Sequence, residues 1–134
     1  MRGYGRFVNG RIAVTIVPDN KEKLAPWRDR VTVAAKVAMR FRDPFEGPVE
    51  LRIMFGLPRP KTVRRATPHV KPDLSKLLRA VEDSLTDASV WGDDAQVCRA
   101  VVEKQYSPAP GIRVLVRELP AADRPLGQPK GNTK

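Results

Sequence analysis

The segment from His69 to Val97 constrains the fold more than any other part of this sequence. Apolar residues recur within it at three- and four-residue steps, at positions 74, 77, 78, 81 and 85. This spacing predicts an amphipathic helix from Leu74 to Leu85, and its apolar side must face a core. Asp73 precedes the helix, and the adjacent acids Asp93 and Asp94 follow it. Carboxylates are therefore expected at both ends of one buried helix.

The rest of the chain predicts four strands and a second helix. Residues 11–17 are typical of a strand, and a helix that begins near Pro26 follows with a buried apolar stripe. Residues 49–55, 97–106 and 112–119 indicate further strands, the last two joined as a hairpin. Four prolines exclude regular structure from Gly56 to Pro72. We predict a single α/β (α+β) domain in the order β-α-β-loop-α-β-β, with helices packed on a mixed sheet.

The charge of the chain favours a polyanionic partner. Lys and Arg number 25 against 15 Asp and Glu, a formal net charge of +10. DNA, RNA or an anionic membrane surface would match it, and the alternative is a charge that serves solubility alone. No apolar run approaches the roughly 20 residues that cross a bilayer, and the start lacks a secretory segment. One Cys and one His exclude a zinc site built from Cys and His within a single chain. The single Cys allows no internal disulfide, so a reducing, cytoplasmic location is predicted.

The acidic residues around the helix have a structural and a functional interpretation. Asp73 either caps the helix, which is worth roughly 1 kcal/mol, or binds a cation. Asp93 and Asp94 either form a solvated turn or share a cation. Magnesium prefers oxygen ligands and keeps several waters, so one or two carboxylates suffice. A magnesium ion held by Asp73 and Asp94, with Asp93 in support, would activate water at a scissile phosphate.

Basic residues accompany this acidic segment. From Leu51 to Pro72 there is no acid but six Lys or Arg, which indicates a loop that grips a phosphate backbone; a solvated loop is the alternative. His69 in that loop is expected to be a surface residue or a phosphate contact. Arg79 either stabilises charge on the same phosphate or pairs with Glu82 or Asp83 along the helix.

These residues resemble the core signature of the RusA-type Holliday-junction resolvases. That signature is a PD-x-D-x-L-x-(K/R)-A block, then D-x-L, then a W/F-x-D-D-x-x-V block. The matching residues here are Pro72, Asp73, Leu77, Arg79, Ala80, Asp83, Leu85, Trp91, Asp93, Asp94 and Val97. The resemblance covers about residues 24–119 and extends more loosely to residues 26–31, to residues 58–61 and to Lys104.

The resemblance implies a homodimeric, magnesium-dependent endonuclease that nicks four-way DNA junctions in recombination and repair, with manganese as a substitute metal. It implies catalytic roles for Asp73, Asp94 and Arg79, and a metal site formed by Asp73, Asp94, Asp93 and position 75, which is Ser75. The residues expected to contact DNA are Arg59, Lys61, Arg64, Arg65, His69, Lys71, Lys76 and Lys104. A two-fold dimer would address opposed strands of a two-fold junction.

Two departures from the family pattern shape the expectations. Ser75 stands where the family has Asp, so one carboxylate is replaced by a hydroxyl that can hold only a metal-bound water. Glu82 lies two turns further along the helix, too far to replace it, and Asp93 is nearer. The family's first strand is expected to be missing or truncated. We assign residues 1–119 to the RusA-like domain and 120–134 to a disordered basic tail.

Three functions are compatible with the sequence. The first is a junction-resolving endonuclease. The second is a non-catalytic protein that binds branched DNA and has lost cleavage through Ser75. The third, a small RNA-binding or ribosome-associated protein, accounts for the net charge of +10 but not for the acidic cluster.

Overall fold

A computed structural model describes residues 2–8, 10–17, 27–70 and 72–120. The elements are β1 (Arg2–Val8), β2 (Arg11–Val17), α1 (Trp27–Ala38), β3 (Val49–Leu57), α2 (Leu74–Asp87), a 3-10 helix (Asp94–Gln96), β4 (Val97–Tyr106) and β5 (Gly111–Glu118). The strands form one mixed sheet in the order β1-β2-β5-β3-β4. The predicted α+β domain with helices on a mixed sheet is confirmed. Pro26 and residues 121–134 of the predicted tail lie outside the described residues.

Both helices pack on the same face of the sheet and bury the apolar stripes that the sequence predicts. On α1 the residues Trp27, Val31 and Ala35 are buried, and on α2 the residues Leu77 and Leu85. They meet alternate residues of the strands, because successive strand side chains point to opposite faces. The sheet's share of this core is Ile12, Val14, Ile16, Val49, Leu51, Ile53, Phe55, Ile112, Val114 and Val116. The core therefore lies between the two helices and one face of the sheet.

The predicted hairpin of the last two strands is wrong. β3 lies between β4 and β5, parallel to the first and antiparallel to the second. The loop after Tyr106 crosses the end of β3, where Ser107 N donates to the carbonyl oxygen of Leu57 at 2.9 Å. Gly56 makes room for this crossing, because a Cβ there would lie 3.0 Å from the Cβ of Ser107. Two strand patterns separated by a short loop do not reveal whether a third strand inserts between them.

The strand at Arg2–Val8 was not predicted from the sequence. It pairs antiparallel with β2 throughout its length, and α1 packs against it. A Cβ at Gly5 would clash with the backbone carbonyl of Ala34, so the missing side chain lets the helix lie directly on this strand. A segment with two glycines and little alternation gives a weak strand signal, and pairing with β2 supplies the stability that its propensity lacks. No helix in the described ranges has the length and apolarity needed to cross a membrane.

Candidate active site

Asp73 occupies the N-cap position of α2 but does not cap the helix with its side chain. Its backbone is extended, with φ −71° and ψ 137°, and its carboxylate makes no capping hydrogen bond. The side chain is 55% exposed and has Lys76 Nζ at 3.9 Å. An exposed ion pair of this length contributes little. The carboxylate is therefore not consumed by the structural role that was the alternative to cation binding.

Lys104 holds the segment that precedes Asp73. It lies on β4, and its Nζ donates to the carbonyl oxygens of Val70 at 2.6 Å and Pro72 at 2.7 Å. These short, charge-assisted hydrogen bonds fix the backbone immediately before α2. An ammonium group has three donors, so one remains beyond these two bonds. The sequence suggested Lys104 only as a DNA contact and gave no sign of this positioning.

Asp93 and Asp94 have different surroundings although they are adjacent. Asp93 is the N-cap of the 3-10 helix, and its Oδ1 accepts from the backbone N–H of Ala95 at 2.9 Å. Gln96 completes a capping box, because its Oε1 accepts from the N–H groups of Gly92 at 2.9 Å and Asp93 at 3.2 Å. Asp93 thus has the structural role that a pair of acids in a turn would predict, and Asp94 does not share it.

Gln96 also anchors this turn to the rest of the domain. Its Nε2 donates to the carbonyl oxygens of Phe45 at 2.9 Å and Gly47 at 3.0 Å. Trp91 adds a second anchor, since it is 1% exposed and its Nε1 donates to Thr86 Oγ1 on α2 at 2.8 Å. The backbone that carries Asp94 is therefore held from both sides. Sequence analysis did not single out Gln96, although its place three residues after Asp93 is typical of a capping box.

Asp94 faces the second half of α2. It lines an open cleft whose other lining residues are Arg28, Asp83, Thr86, Asp87, Gly92 and Asp93. Burial raises the pKa of the Glu82 carboxyl above its ordinary value, and the charge of Asp94 raises it further. Glu82 was set aside in the sequence analysis because of its distance from position 75. The structure instead brings Glu82 within electrostatic reach of Asp94.

Arg79 points from α2 toward solvent near the same acids. Its Nε lies 3.8 Å from Asp83 Oδ1, and its side chain is 76% exposed. The other oxygen of Asp83 lies 3.7 Å from Arg28 Nη2. The ion pair predicted along the helix is present, but exposed pairs of this length are weak. Arg79 therefore retains a mobile guanidinium for an anionic ligand, and Ser75 is likewise exposed on the first turn of α2.

The donor chemistry of these residues fits magnesium. Among the described residues no group of three or more His, Cys, Asp or Glu stands close enough to hold a metal ion. Glu82, which is near Asp94, is nine residues beyond Asp73, or roughly 13 Å along the helix axis. Magnesium is bound by one or two carboxylates with water in the remaining positions, so it does not need a three-carboxylate cage. Asp94 and Glu82 supply hard oxygen atoms of the kind this ion prefers, and Asp73 supplies another at the start of the helix, without the three forming one cluster.

The predicted DNA-gripping loop leaves β3 at Pro58 and has no regular structure up to Val70. The guanidinium of Arg59 lies 4.9 Å from the ring centroid of Tyr106, and its Nη2 donates to the carbonyl oxygen of Ala66 at 3.4 Å. The Nε–H of Arg65 is buried and has no hydrogen-bond partner. Lys61, Arg64 and His69 are exposed, and Lys71 lies outside the described residues. The loop therefore presents several cations just before Asp73.

Comparison with known proteins identifies the family to which this chain belongs. The chain belongs to the family described as Endodeoxyribonuclease RusA, whose profile matches residues 6–117. The resemblance stated from the sequence is thereby confirmed. The chain is also 31% identical over 87 residues to Uncharacterized protein YqaN of Bacillus subtilis (strain 168). That match covers 56% of this chain and 61% of the relative's length.

Proposed function

We propose that this protein is a structure-selective endonuclease that resolves four-way DNA junctions by paired hydrolysis of phosphodiester bonds. The observation that carries the proposal is that Asp73 and Asp94 lie in folded, anchored segments without being consumed by a structural hydrogen bond. Two carboxylates without structural hydrogen bonds, on a domain of charge +10, suit a site for a cation and a phosphate. Membership of the RusA endodeoxyribonuclease family supports the same reading.

The residues have distinct roles in this proposal. Asp73 and Asp94 would hold magnesium, or manganese in its place, with Ser75 and Asp93 bordering the site. When bound, the ion would polarise the phosphate and lower the pKa of water. Arg79 and Lys76 would neutralise phosphate charge, and Lys104 would hold the backbone before Asp73 in place. The basic loop would grip the DNA arms through Arg59, Lys61, Arg64, Arg65, His69 and Lys71.

The proposed assembly is a homodimer that works in the cytoplasm on branched DNA during recombination and repair. A four-way junction has two-fold symmetry, so two equivalent sites would nick opposed strands. We assign this activity to residues 1–119 and treat residues 120–134 as a disordered basic tail.

A second candidate is a protein that binds branched DNA without cutting it. The observation that favours it is Ser75, which leaves the first turn of α2 without the family's second carboxylate. The basic loop and the fold would serve such a binder equally well.

A cleavage assay separates the two candidates. A labelled four-way junction is incubated with wild-type protein, with Asp94→Asn, and with Asp87→Asn as a matched control from the same cleft. The nuclease proposal expects paired nicks that require magnesium, persist in Asp87→Asn and fall more than a hundredfold in Asp94→Asn. Tight junction binding without nicks from any of the three proteins would instead establish the binder. Equal or tighter binding of RNA, at one stated salt concentration, would overturn both.

A further inference from the structure

One face of the sheet carries no helix among the described residues. Both helices pack on the face formed by residues such as Ile12, Leu51 and Ile112. The opposite face, called the open face here, is formed by the intervening positions of the strands. Its described residues include Arg11, Ala13 and Thr15 of β2, Arg113, Leu115 and Arg117 of β5, Glu50, Arg52 and Met54 of β3, and Arg99, Val101 and Glu103 of β4. Of these only Glu50 is buried.

Glu50 is surrounded by three arginines from three neighbouring strands. Arg117 Nε lies 2.8 Å from Glu50 Oε1, Arg99 Nη1 lies 3.2 Å from Oε2, and Arg52 Nε lies 3.3 Å from Oε1. The sheet register places Arg99 and Arg117 directly opposite Glu50 on its two sides. The hydrogen bond from Arg117, with those of Arg99 and Arg52, holds the pKa of Glu50 at about 2 despite its burial. The carboxylate is thus fixed and charged.

Stabilisation of the sheet does not by itself require three arginines around one carboxylate. One carboxylate balances the charge of one guanidinium, yet three guanidinium groups surround Glu50. Moreover, apolar side chains of similar size are often as stabilising as a buried ion pair. The arginines are not buried with their partner, since Arg52, Arg99 and Arg117 are 56%, 55% and 32% exposed. Each guanidinium has five donors in a planar fork. Glu50 accepts a hydrogen bond from one nitrogen of each guanidinium, which leaves further donors on all three.

The charge of the open face is strongly positive. Six described arginines lie on it, namely Arg6, Arg11, Arg52, Arg99, Arg113 and Arg117. Glu50 and Glu103 are its acids. A second copy of the same face would repel it, because like charges set against each other are costly. A phosphate backbone is the complementary partner, since guanidinium forks match phosphate oxygens in pairs.

We propose that the open face binds the phosphate backbone of a nucleic acid, with Glu50 as the positioning residue that holds Arg52, Arg99 and Arg117 toward it. The identity of that nucleic acid as DNA rests on the proposed function. The face begins beside the candidate active site, because Arg99 on the edge strand β4 is five residues beyond Asp94. Those residues span at most about 16 Å. Arg99 is thus the open-face arginine nearest to Asp94 along the chain.

The test compares charge removal on the two sides of the domain. The double variant Arg52→Gln/Arg99→Gln changes the open face. The control Arg30→Gln/Arg40→Gln removes the same charge from exposed positions on α1 and on the turn that follows it. Binding of a labelled DNA duplex and a four-way junction is followed by fluorescence anisotropy in EDTA over a range of salt. The first variant is expected to lower affinity about tenfold or more at low salt and to reduce the salt slope by about 2. The second is expected to change neither.

If both double variants lose the same DNA affinity, the effect is one of net charge and the proposal is overturned. Unchanged DNA affinity of Arg52→Gln/Arg99→Gln would overturn it as well. A change in sedimentation with unchanged DNA affinity would make the open face a contact between copies and would also overturn it. Glu50→Gln keeps every arginine of the open face. A lower DNA affinity of this variant, with an unchanged circular dichroism spectrum, would support the role of Glu50 in positioning the arginines. If that variant unfolds, the arginine variants carry the test. Because binding is measured without magnesium, absence of nicking would contradict the proposed function and leave this result intact.

Discussion

The ammonium group of Lys104 donates to the carbonyl oxygen of Pro72 at 2.7 Å, so an edge strand of the sheet fixes the residue that precedes Asp73. The same group reaches the carbonyl oxygen of Val70 at 2.6 Å. Both bonds are charge-assisted and bring together residues more than thirty positions apart in the sequence. The position of Asp73 therefore depends on β4 as well as on the helix that it begins.

Replacing Lys104 with Met keeps most of the length of the side chain and removes these bonds. We expect the nicking rate at saturating protein to fall about tenfold to a hundredfold, because a displacement of about 1 Å at a reacting group has effects of this size. Junction affinity in EDTA should change much less. Lys36→Met on the exposed side of α1 is the control and should retain the rate. An affinity loss in Lys104→Met that matches the rate loss would show that Lys104 acts as a DNA contact instead.

Ser75→Asp restores the carboxylate that the family pattern has at this position. We expect the magnesium concentration for half-maximal nicking to fall about tenfold, equal to about 1.4 kcal/mol of binding free energy. The new charge would also favour the N-terminus of α2 by roughly 0.3–1 kcal/mol, because the helix dipole is positive there. Ser75→Asn has a similar size and no charge, and should give neither change. Unaltered magnesium dependence in Ser75→Asp would mean that position 75 is not part of the metal site.

Glu50 links folding stability to pH. Its folded-state pKa is lowered from 4.5 to about 2, so the stabilisation is present above pH 4.5 and is lost as the pH falls toward 2. Glu50→Gln should lower the free energy of unfolding at pH 7 by about 1–3 kcal/mol, the value of hydrogen bonds to a charged group. Urea denaturation at pH 7 and at pH 3 measures both effects. The gap between variant and wild type should narrow at the lower pH, and a constant gap would contradict the assignment.

Glu82 has the opposite dependence. Its pKa is raised by burial and by the charge of Asp94. Ionisation of Glu82 therefore lowers folding stability at a pH above its folded-state pKa, and this loss disappears below pH 4.5, where the carboxyl is protonated in both states. Glu82→Gln should therefore raise Tm at pH 7 and leave it unchanged at pH 4. The exposed Glu46→Gln on the loop before β3 is a control and should not alter Tm at either pH. A lower Tm for Glu82→Gln at pH 7 would show that Glu82 makes a stabilising contact.

The sequence predicted the helices and their buried sides because an amphipathic stripe is a local property. The stripe of α2 and the position of Asp73 before it could be read from residues within one segment. Neighbour relations between strands are not local, and the insertion of β3 between β4 and β5 was therefore missed. The cluster around Glu50 was missed for the same reason, because Arg99 and Arg117 meet it only through the sheet register.

The candidate site was predicted in composition but not in geometry. Asp93 and Asp94 are equivalent in the sequence, and the hydrogen bonds of Gln96 separate their roles. Glu82 was set aside by its distance along the helix from position 75, whereas its relation to Asp94 depends on how the turn after Trp91 folds back on α2. Long-range contacts such as these follow from packing and leave no periodic signal in the chain.

The central position of β5 has a consequence for the order in which the protein is made. β5 is the last of the described strands, yet among them it alone joins the β1-β2 hairpin to the β3-β4 pair. A nascent chain that ends before Gly111 thus has two half-sheets with nothing to hydrogen-bond them together. Arg117, the closest partner of Glu50, arrives with the same strand. The open face is therefore completed only when synthesis has passed Glu118, and until then its arginines on β1 and β2 are not joined to those on β3 and β4.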